Sequence, residues 1–411
     1  MKRRVVITGT GAVTSLGIGT DELWQSVKNG KCGVSCIERI DVSDMPSKVG
    51  AEIKNFDPAD FMDKHEARRM DRFTQYALAA AQMAIGSSAL NLDKVNRERM
   101  GSIIGTGIGG FETVENQIGV LLDKGPKRVS PFFIPMMIPN MASGNIAIKY
   151  GIKGFNECVV SACATSANAI GDAFKVIQRG DADVMITGGS EAPITRMAIA
   201  GFCANKTMTT NSNPLEASKP FDLERDGFVI GEGAGILILE EFEHAAGRGA
   251  DIIAEVTGYG CTNDAYHITA PSENGEGSAR CMRIALQDAG INASDIGYIN
   301  AHGTSTKLND QCETIAIKAV FQEDAYKLPV SSTKSMTGHL FGAAGAVETI
   351  LTALALKENF LPPTINYNTP DPECDLYYIP GKGISANIEY ALTNSFGFGG
   401  HNATLVLKSY R

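Results

Sequence analysis

The stretch from Glu157 to Gly189 constrains this chain more than any other, because its hydrophobic period changes twice. Residues 157 to 162 are a short apolar run of the β type. From Cys163 onward, Ala167, Ile170, Phe174 and Ile177 recur at helical spacing. Residues 183 to 189, DVMITGG, read as a buried strand again. Strand, helix and strand in that order form a right-handed crossover, which commits the chain to an α/β architecture. The same stretch sets a thiol where strand turns into helix. The free amides and partial positive charge of a helix start favour thiolate, so the Cys163 pKa is expected to fall from about 8.5 toward neutrality. Taken alone, the residue reads equally well as a small buried hydrophobe.

A chain of 411 residues exceeds the size at which one core keeps growing, so two fused halves are expected. The charged run EEFEHAAGRGAD, residues 240 to 251, marks the seam and divides the chain into 1–250 and 251–411. After it, IIAEVTGYG restarts a strand-and-glycine pattern like that of the N-terminus, a hint of internal duplication. Val5 to Thr8 run into Gly9-Thr10-Gly11, but Thr14 stands where a dinucleotide fingerprint needs its third glycine, so no nicotinamide site is expected. The basic start has a short, glycine-broken apolar run and reads as a first strand rather than a signal or membrane span. Nine cysteines without CxxC spacing imply neither zinc site nor disulfide framework and suit a reducing compartment, such as bacterial cytoplasm or, if a targeting segment has been removed, an organelle matrix.

A net charge of −9 argues against nonspecific nucleic-acid binding. Local basic points stand out against it. Lys64, Arg68, Arg69 and Arg72 fall on an expected helix with Arg68 and Arg72 stacked at i, i+4. Lys124, Lys127 and Arg128 share a loop, and Lys206 stands apart. Together they suit an acidic partner. His65 and His244, on charged helical stretches, read as surface residues; His267 and His401 stay open.

The second half supplies further polar groups beyond strands. His302 follows the apolar run 296 to 301, and Lys334 and His339 follow another, ahead of a Gly/Ala-rich helix from about 341 to 356. Near the C-terminus two strands flank the loop 396 to 401. With Cys163 this makes four loops at carboxyl ends of strands, the edge at which open α/β sheets bind ligands. A thiol with two imidazoles is equipment for covalent acyl transfer.

SACATS, NAHGTST, SSTKSMTGH and SFGFGGHN together resemble the β-ketoacyl-acyl-carrier-protein synthases of the thiolase superfamily, and are most similar to the synthase II type. PFDLERDGFVIGEGAG and DAYHITAP extend the resemblance over essentially the whole chain. It implies a thiolase-like α/β/α/β/α sandwich of two similar halves, with a buried helix layer and a homodimeric assembly. It implies decarboxylative condensation of an acyl-enzyme with malonyl-acyl-carrier protein, without metal or other cofactor. Cys163 would be the nucleophile, completed by His302 and His339, with Lys334 supporting them beside Asp310 and Glu348. The amides of Cys163 and Phe398 would form the oxyanion hole, and the Phe398 ring the gate. Ile108, Phe133, Phe202, Thr304, Thr306 and Phe396 would contact substrate, the two threonines on the phosphopantetheine arm. Lys64, Arg68, Arg69, Lys127, Arg128 and Lys206 would receive the carrier protein.

Two departures stand out: His401 beside the gate where many relatives have Thr, and His65 in a segment that is often more basic. A thiolase would carry a second catalytic Cys near the C-terminal glycine loop, and no Cys follows Cys374. A type III initiating synthase would have Asn in place of His339. A non-catalytic chain-length partner would lack the nucleophile.

Overall fold

The computed structural model describes residues 2–411. In the first half β1 (Val5–Thr14), α1 (Arg72–Ser87), β2 (Met100–Gly105), α2 (Met141–Tyr150), β3 (Asn156–Glu157), α3 (Thr165–Arg179), β4 (Val184–Glu191) and β5 (Gly233–Glu241) follow one another. The second half runs β6 (Ala254–Asn263), α4 (Glu276–Ala289), β7 (Ile296–Asn300), α5 (Lys307–Phe321), β8 (Val330–Ser331), α6 (Ala344–Glu358), β9 (Tyr390–Gly397) and β10 (His401–Ser409).

The strand order is β3-β2-β4-β5-β1 in the first half and β8-β7-β9-β10-β6 in the second. In each, the first three strands are parallel and the last two join antiparallel. Order and direction therefore repeat, and the faint echo after residue 251 is a duplicated topology. The halves meet where Val5–Ile7 of β1 pair antiparallel with Ala254–Val256 of β6.

The helices complete five layers. α1 covers β1 and β5, with α2 beside it, and α4 covers β6 and β10, with α5 beside it. α3 and α6 lie between the two half-sheets and touch each other. A helix covered on both sides has no solvent stripe to be amphipathic about, and 12 of the 15 residues of α6 are buried. Small residues let the layers close: a Cβ on Gly345 would lie 2.8 Å from the Ala167 amide, and one on Gly235 2.8 Å from that of Val347.

Several local expectations need correction. The run 157 to 162 is a strand only as far as Glu157, since one neighbouring strand pairs there. Gly9 and Gly11 lie within β1 rather than ending it; a Cβ at Gly11 would sit 2.0 Å from the Ala80 carbonyl, so the glycines exist to let α1 approach. Arg68 and Arg72 do not share a helix. Lys64–Ala67 is one turn, and Asp71 starts α1 by accepting from the Phe73 amide at 3.3 Å. Asp71 also accepts from the Thr113 amide and hydroxyl at 3.0 and 2.6 Å. His244 is no free surface residue: its Nδ1 lies 2.7 Å from Glu240, a buried carboxylate also held by Arg248 Nε at 2.9 Å. His65 is exposed as expected.

Candidate active site

Cys163 lies in a 3-10 turn, Ala162–Ala164, that leads into α3. Ala162 has φ 51°, a left-handed conformation costly for a residue with a Cβ. Thr165 Oγ1 holds the turn by accepting from the Ser161 amide at 2.8 Å. The other loops carry the same mark: Ser305 (φ 70°), Phe341 (φ 47°) and Gly399 (φ 81°). Residues of this kind turn the chain sharply at strand ends, which brings four loops onto one cavity.

That cavity holds about 780 Å³ and ends on Cys163, His302, His339, Phe396 and Phe398. The thiol and two imidazoles present atoms within 4.8 Å of one another, all three residues being buried. His339 Nε2 is 3.1 Å from Sγ. Its backbone is tied on both sides to the strand segment at Ile230, His339 N donating to Val229 O at 2.8 Å and Gly231 N to His339 O at 2.9 Å. The Phe341 ring stacks on the imidazole at 4.6 Å between centroids.

Hydrogen-bond partners fix which imidazole nitrogen carries the proton. The Lys334 ammonium donates to His302 Nδ1 at 3.3 Å, and the Phe341 amide to His339 Nδ1 at 3.4 Å. Each ring therefore bears its proton on Nε2. Both pKa values lie well below the ordinary histidine value, chiefly through burial and then through the Lys334 charge. The rings are neutral donors.

Burial pushes the Cys163 thiol up to about 12, against the pull of Lys334 and of the Phe398 and Cys163 amides. The direction is opposite to the expected fall toward neutrality, because loss of solvent around the buried sulfur outweighs the helix start. Those two amides lie close enough to the sulfur to pull its pKa down, and backbone N–H groups are the donors an oxyanion needs. Gly397 must lack a side chain here, since its Cβ would lie 3.0 Å from the Cys163 amide.

Lys334 and Glu348 form a buried ion pair, and burial raises the Glu348 carboxyl to about 7. Asp310, expected as a second neighbour of Lys334, instead bonds the Phe221 amide at 2.8 Å and lies 3.5 Å from Arg225. The carboxylate facing the His302 loop is Glu313, which accepts from the His302 and Gly303 amides at 2.9 and 2.8 Å. Sequence reasoning missed it, though it stands three residues beyond Asp310 on α5 and so on nearly the same helix face.

A cysteine and two histidines are also ligands of soft metals. Histidines that hold a metal usually donate their second nitrogen to a carboxylate or carbonyl. Here His302 accepts from an ammonium and His339 from an amide, which fits hydrogen-bond donation into the cavity instead.

Of the substrate residues, Ile108, Phe202, Thr304, Thr306 and Phe396 line the cavity, with Thr304 Oγ1 2.9 Å from Thr306 Oγ1. Phe133 does not line it; it lies on the short helix Phe133–Met137. Ile108 is 37% exposed, so the cavity is open at that end. The Gly399 amide donates to Ile268 O at 2.8 Å, and Asn263 donates to Gly399 O at 2.8 Å, tying the Phe398 loop to its neighbour. His267 is exposed and caps its own loop, while His401 opens β10 half-buried beside Gly399.

The basic residues Lys64, Arg68, Arg69, Lys127, Arg128 and Lys206 are all exposed. Arg69 lies over the Phe132 ring at 4.9 Å, joining the first group to the loop of Lys127 and Arg128. Lys206 lines the cavity itself.

A doubled α/β sandwich whose buried cavity ends on a cysteine between two neutral imidazoles defines a thiolase-like acyl-condensing enzyme. Residues 2–245 match the Beta-ketoacyl synthase, N-terminal domain, and residues 253–368 its C-terminal domain. The chain belongs to the beta-ketoacyl synthase family. It is 52% identical to the 3-oxoacyl-[acyl-carrier-protein] synthase 2 of Synechocystis over 100% of this chain and 99% of that one. To the enzyme of the same name from Staphylococcus aureus it is 54% identical, over 99% of each. A crystal structure of a Beta-ketoacyl synthase from Burkholderia phymatum superposes with a TM-score of 0.93 at 37% identity, over 100% of both chains. A type II PKS ketosynthase in complex with its acyl-carrier protein is also similar, with a TM-score of 0.93 and 38% identity over 100% of both.

Proposed function

We propose that this chain elongates fatty acyl chains by decarboxylative Claisen condensation of an acyl-enzyme with malonyl-acyl-carrier protein. The observation that carries the reading is the buried thiol 3.1 Å from one of two imidazoles that are both held neutral with Nε2–H facing the cavity.

In the first half-reaction the Cys163 sulfur attacks the carrier-bound thioester, and the proton it loses leaves on the carrier thiol. Donors at the Cys163 and Phe398 amides stabilise the tetrahedral oxyanion, a contact worth about 3 to 4 kcal/mol per donor. Acylation removes the need for a free thiolate in a site that burial makes hostile to charge. In the second half-reaction the malonyl thioester loses carbon dioxide, and its electron pair becomes an enolate whose oxygen needs donors. His302 and His339 supply two neutral N–H groups, and Lys334 keeps the former oriented. The enolate carbon forms a bond to the acyl carbonyl, the carbon–sulfur bond to Cys163 breaks, the sulfur takes up a proton from solvent to restore the thiol, and a β-ketoacyl thioester two carbons longer leaves. The Phe398 ring acts as the gate, and Thr304 with Thr306 holds the pantetheine arm. Division at the 240–251 seam then puts the nucleophile in 1–250 and the imidazoles and gate in 251–411.

Carrier docking is assigned to Lys64, Arg68, Arg69, Lys127, Arg128 and Lys206, because all six are exposed, Lys206 lines the cavity, and exposed positive charge suits an acidic carrier on a chain of net charge −9. A homodimer is the assembly we assign. Its supports are the outermost strand β3, exposed and paired on one side alone, and the exposed apolar residues Ile118, Leu122, Ile134, Ile148 and Val160 of the same half.

Cys163→Ala is expected to abolish condensation in an assay with acyl- and malonyl-carrier protein; retained turnover would sink the reading. Cys163→Gln, by contrast, should decarboxylate malonyl-carrier protein without condensing it.

A further inference from the structure

Glu191 is a buried carboxylate that the mechanism above does not use. It ends β4 and is fully buried. Its partners come from two loops, one in each half of the chain. Thr106 Oγ1 donates to Oε1 at 2.8 Å and the Ile108 amide at 3.2 Å, while the Gly107 amide donates to Oε2 at 2.6 Å. From the other side the Gly342 amide donates to Oε2 at 2.9 Å. No cation is among these partners, and burial lifts the carboxyl to about 7.

Both loops meet at glycines that leave no room for anything else. A Cβ on Gly107 would lie 2.7 Å from Oε2, and one on Gly342 2.5 Å from Oε2 and 2.3 Å from the Gly107 amide. One loop carries Ile108, which lines the acyl cavity. The other carries Phe341, whose ring stacks on His339 and whose amide donates to His339 Nδ1. Displacement of either loop therefore reaches the other through a single side chain with no slack.

We infer that Glu191 is a positioning residue that couples the acyl-pocket wall at Ile108 to the His339 imidazole, so that pocket occupancy and decarboxylation are set by one clamp. The inference rests on the condensing activity proposed above. A carboxylate accepts from four donors at once. Gln offers one acceptor oxygen and an NH2 that would face amide donors, so Glu191→Gln removes the clamp at nearly constant volume.

The test measures three quantities in wild type and Glu191→Gln: kcat and KM for malonyl-carrier protein, the kcat/KM ratio for long against short acyl thioesters, and malonyl decarboxylation in the Cys163→Gln background. Expected are a kcat at least ten-fold lower with KM within about two-fold, a decarboxylation rate reduced alongside it, and an acyl-length ratio shifted several-fold. A variant matching wild type in all three would overturn the inference, whatever its melting temperature. So would movement of the decarboxylation rate or of the length ratio alone, since coupling requires both. Should Glu191→Gln fail to fold, Thr106→Val removes one tether and is expected to move both readouts in the same directions by a smaller factor; no movement would count as refutation. Wild type that failed to condense would refute the proposed function instead.

Discussion

Lys334 is the residue on which the charge balance of the cavity turns. Its ammonium is buried against Glu348 and touches His302 Nδ1, so it serves both a carboxylate and an imidazole. Removing it as Lys334→Ala leaves Glu348 buried without a counter-ion, and a loss of about 3 to 5 kcal/mol in urea unfolding is expected. The double variant Lys334→Met with Glu348→Gln should recover most of that stability while decarboxylation stays impaired, because His302 has lost the donor that sets its tautomer. Recovery of both together would mean that Lys334 acts through stability alone. Cys163, His302 and His339 were legible in sequence because each stands in a polar loop after an apolar run. Glu191 and Glu313 were not, for their partners are chiefly backbone amides, which no residue type marks in a sequence. The thiol misled for a related reason: a helix start is local, whereas the burial that outweighs it arises from the whole fold.

At the scale of elements, contact between α1 and β1 depends on the absence of side chains. Gly11→Ala would set a methyl 2.0 Å from the Ala80 carbonyl, and overpacking of this kind costs about 1 to 3 kcal/mol, measurable as a lower urea midpoint. At the end of β5, Glu240 gives a pH signature. Burial opposes its charge, but hydrogen bonds from Arg248, His244 and Thr8 prevail and hold the carboxyl at about 2, below the ordinary 4.5. A depressed acid contributes stability above its unfolded pKa, so this contribution is complete above about pH 4.5 and is lost as pH falls toward 2. Its size is on the order of 3 kcal/mol. His244, raised by the same pair and opposed by burial, has the opposite sign: its part is complete below about pH 6.5 and fades as pH rises. Glu240→Gln should flatten the acid limb of a stability-against-pH curve; an unchanged limb would place the acid sensitivity elsewhere. The layered α/β order was readable from periodicity, but the break at Asp71 was not, because its acceptors serve Thr113 as well as the new helix.

Over the whole molecule, the proposed docking and dimer faces make predictions separable from those of the cysteine site. Reversing Arg68 and Arg128 to Glu should raise KM for the carrier protein while small acyl thioesters react as before; equal losses on both would remove these residues from docking. Replacing Ile118 and Leu122 with Asp should shift the species seen by light scattering toward monomer and slow long acyl chains more than short ones. The duplicated topology has a consequence for the site as well. Ala162 and Cys163 before α3 occupy the same place in the first half as Phe341 and Gly342 before α6 in the second, each on a 3-10 turn whose first residue is left-handed. One fold plan has thus produced two helix-start anion cradles back to back. The first has its amide beside the Cys163 sulfur, whereas the second gives its Gly342 amide to the Glu191 carboxylate, so the two halves of one plan part company at a single side chain.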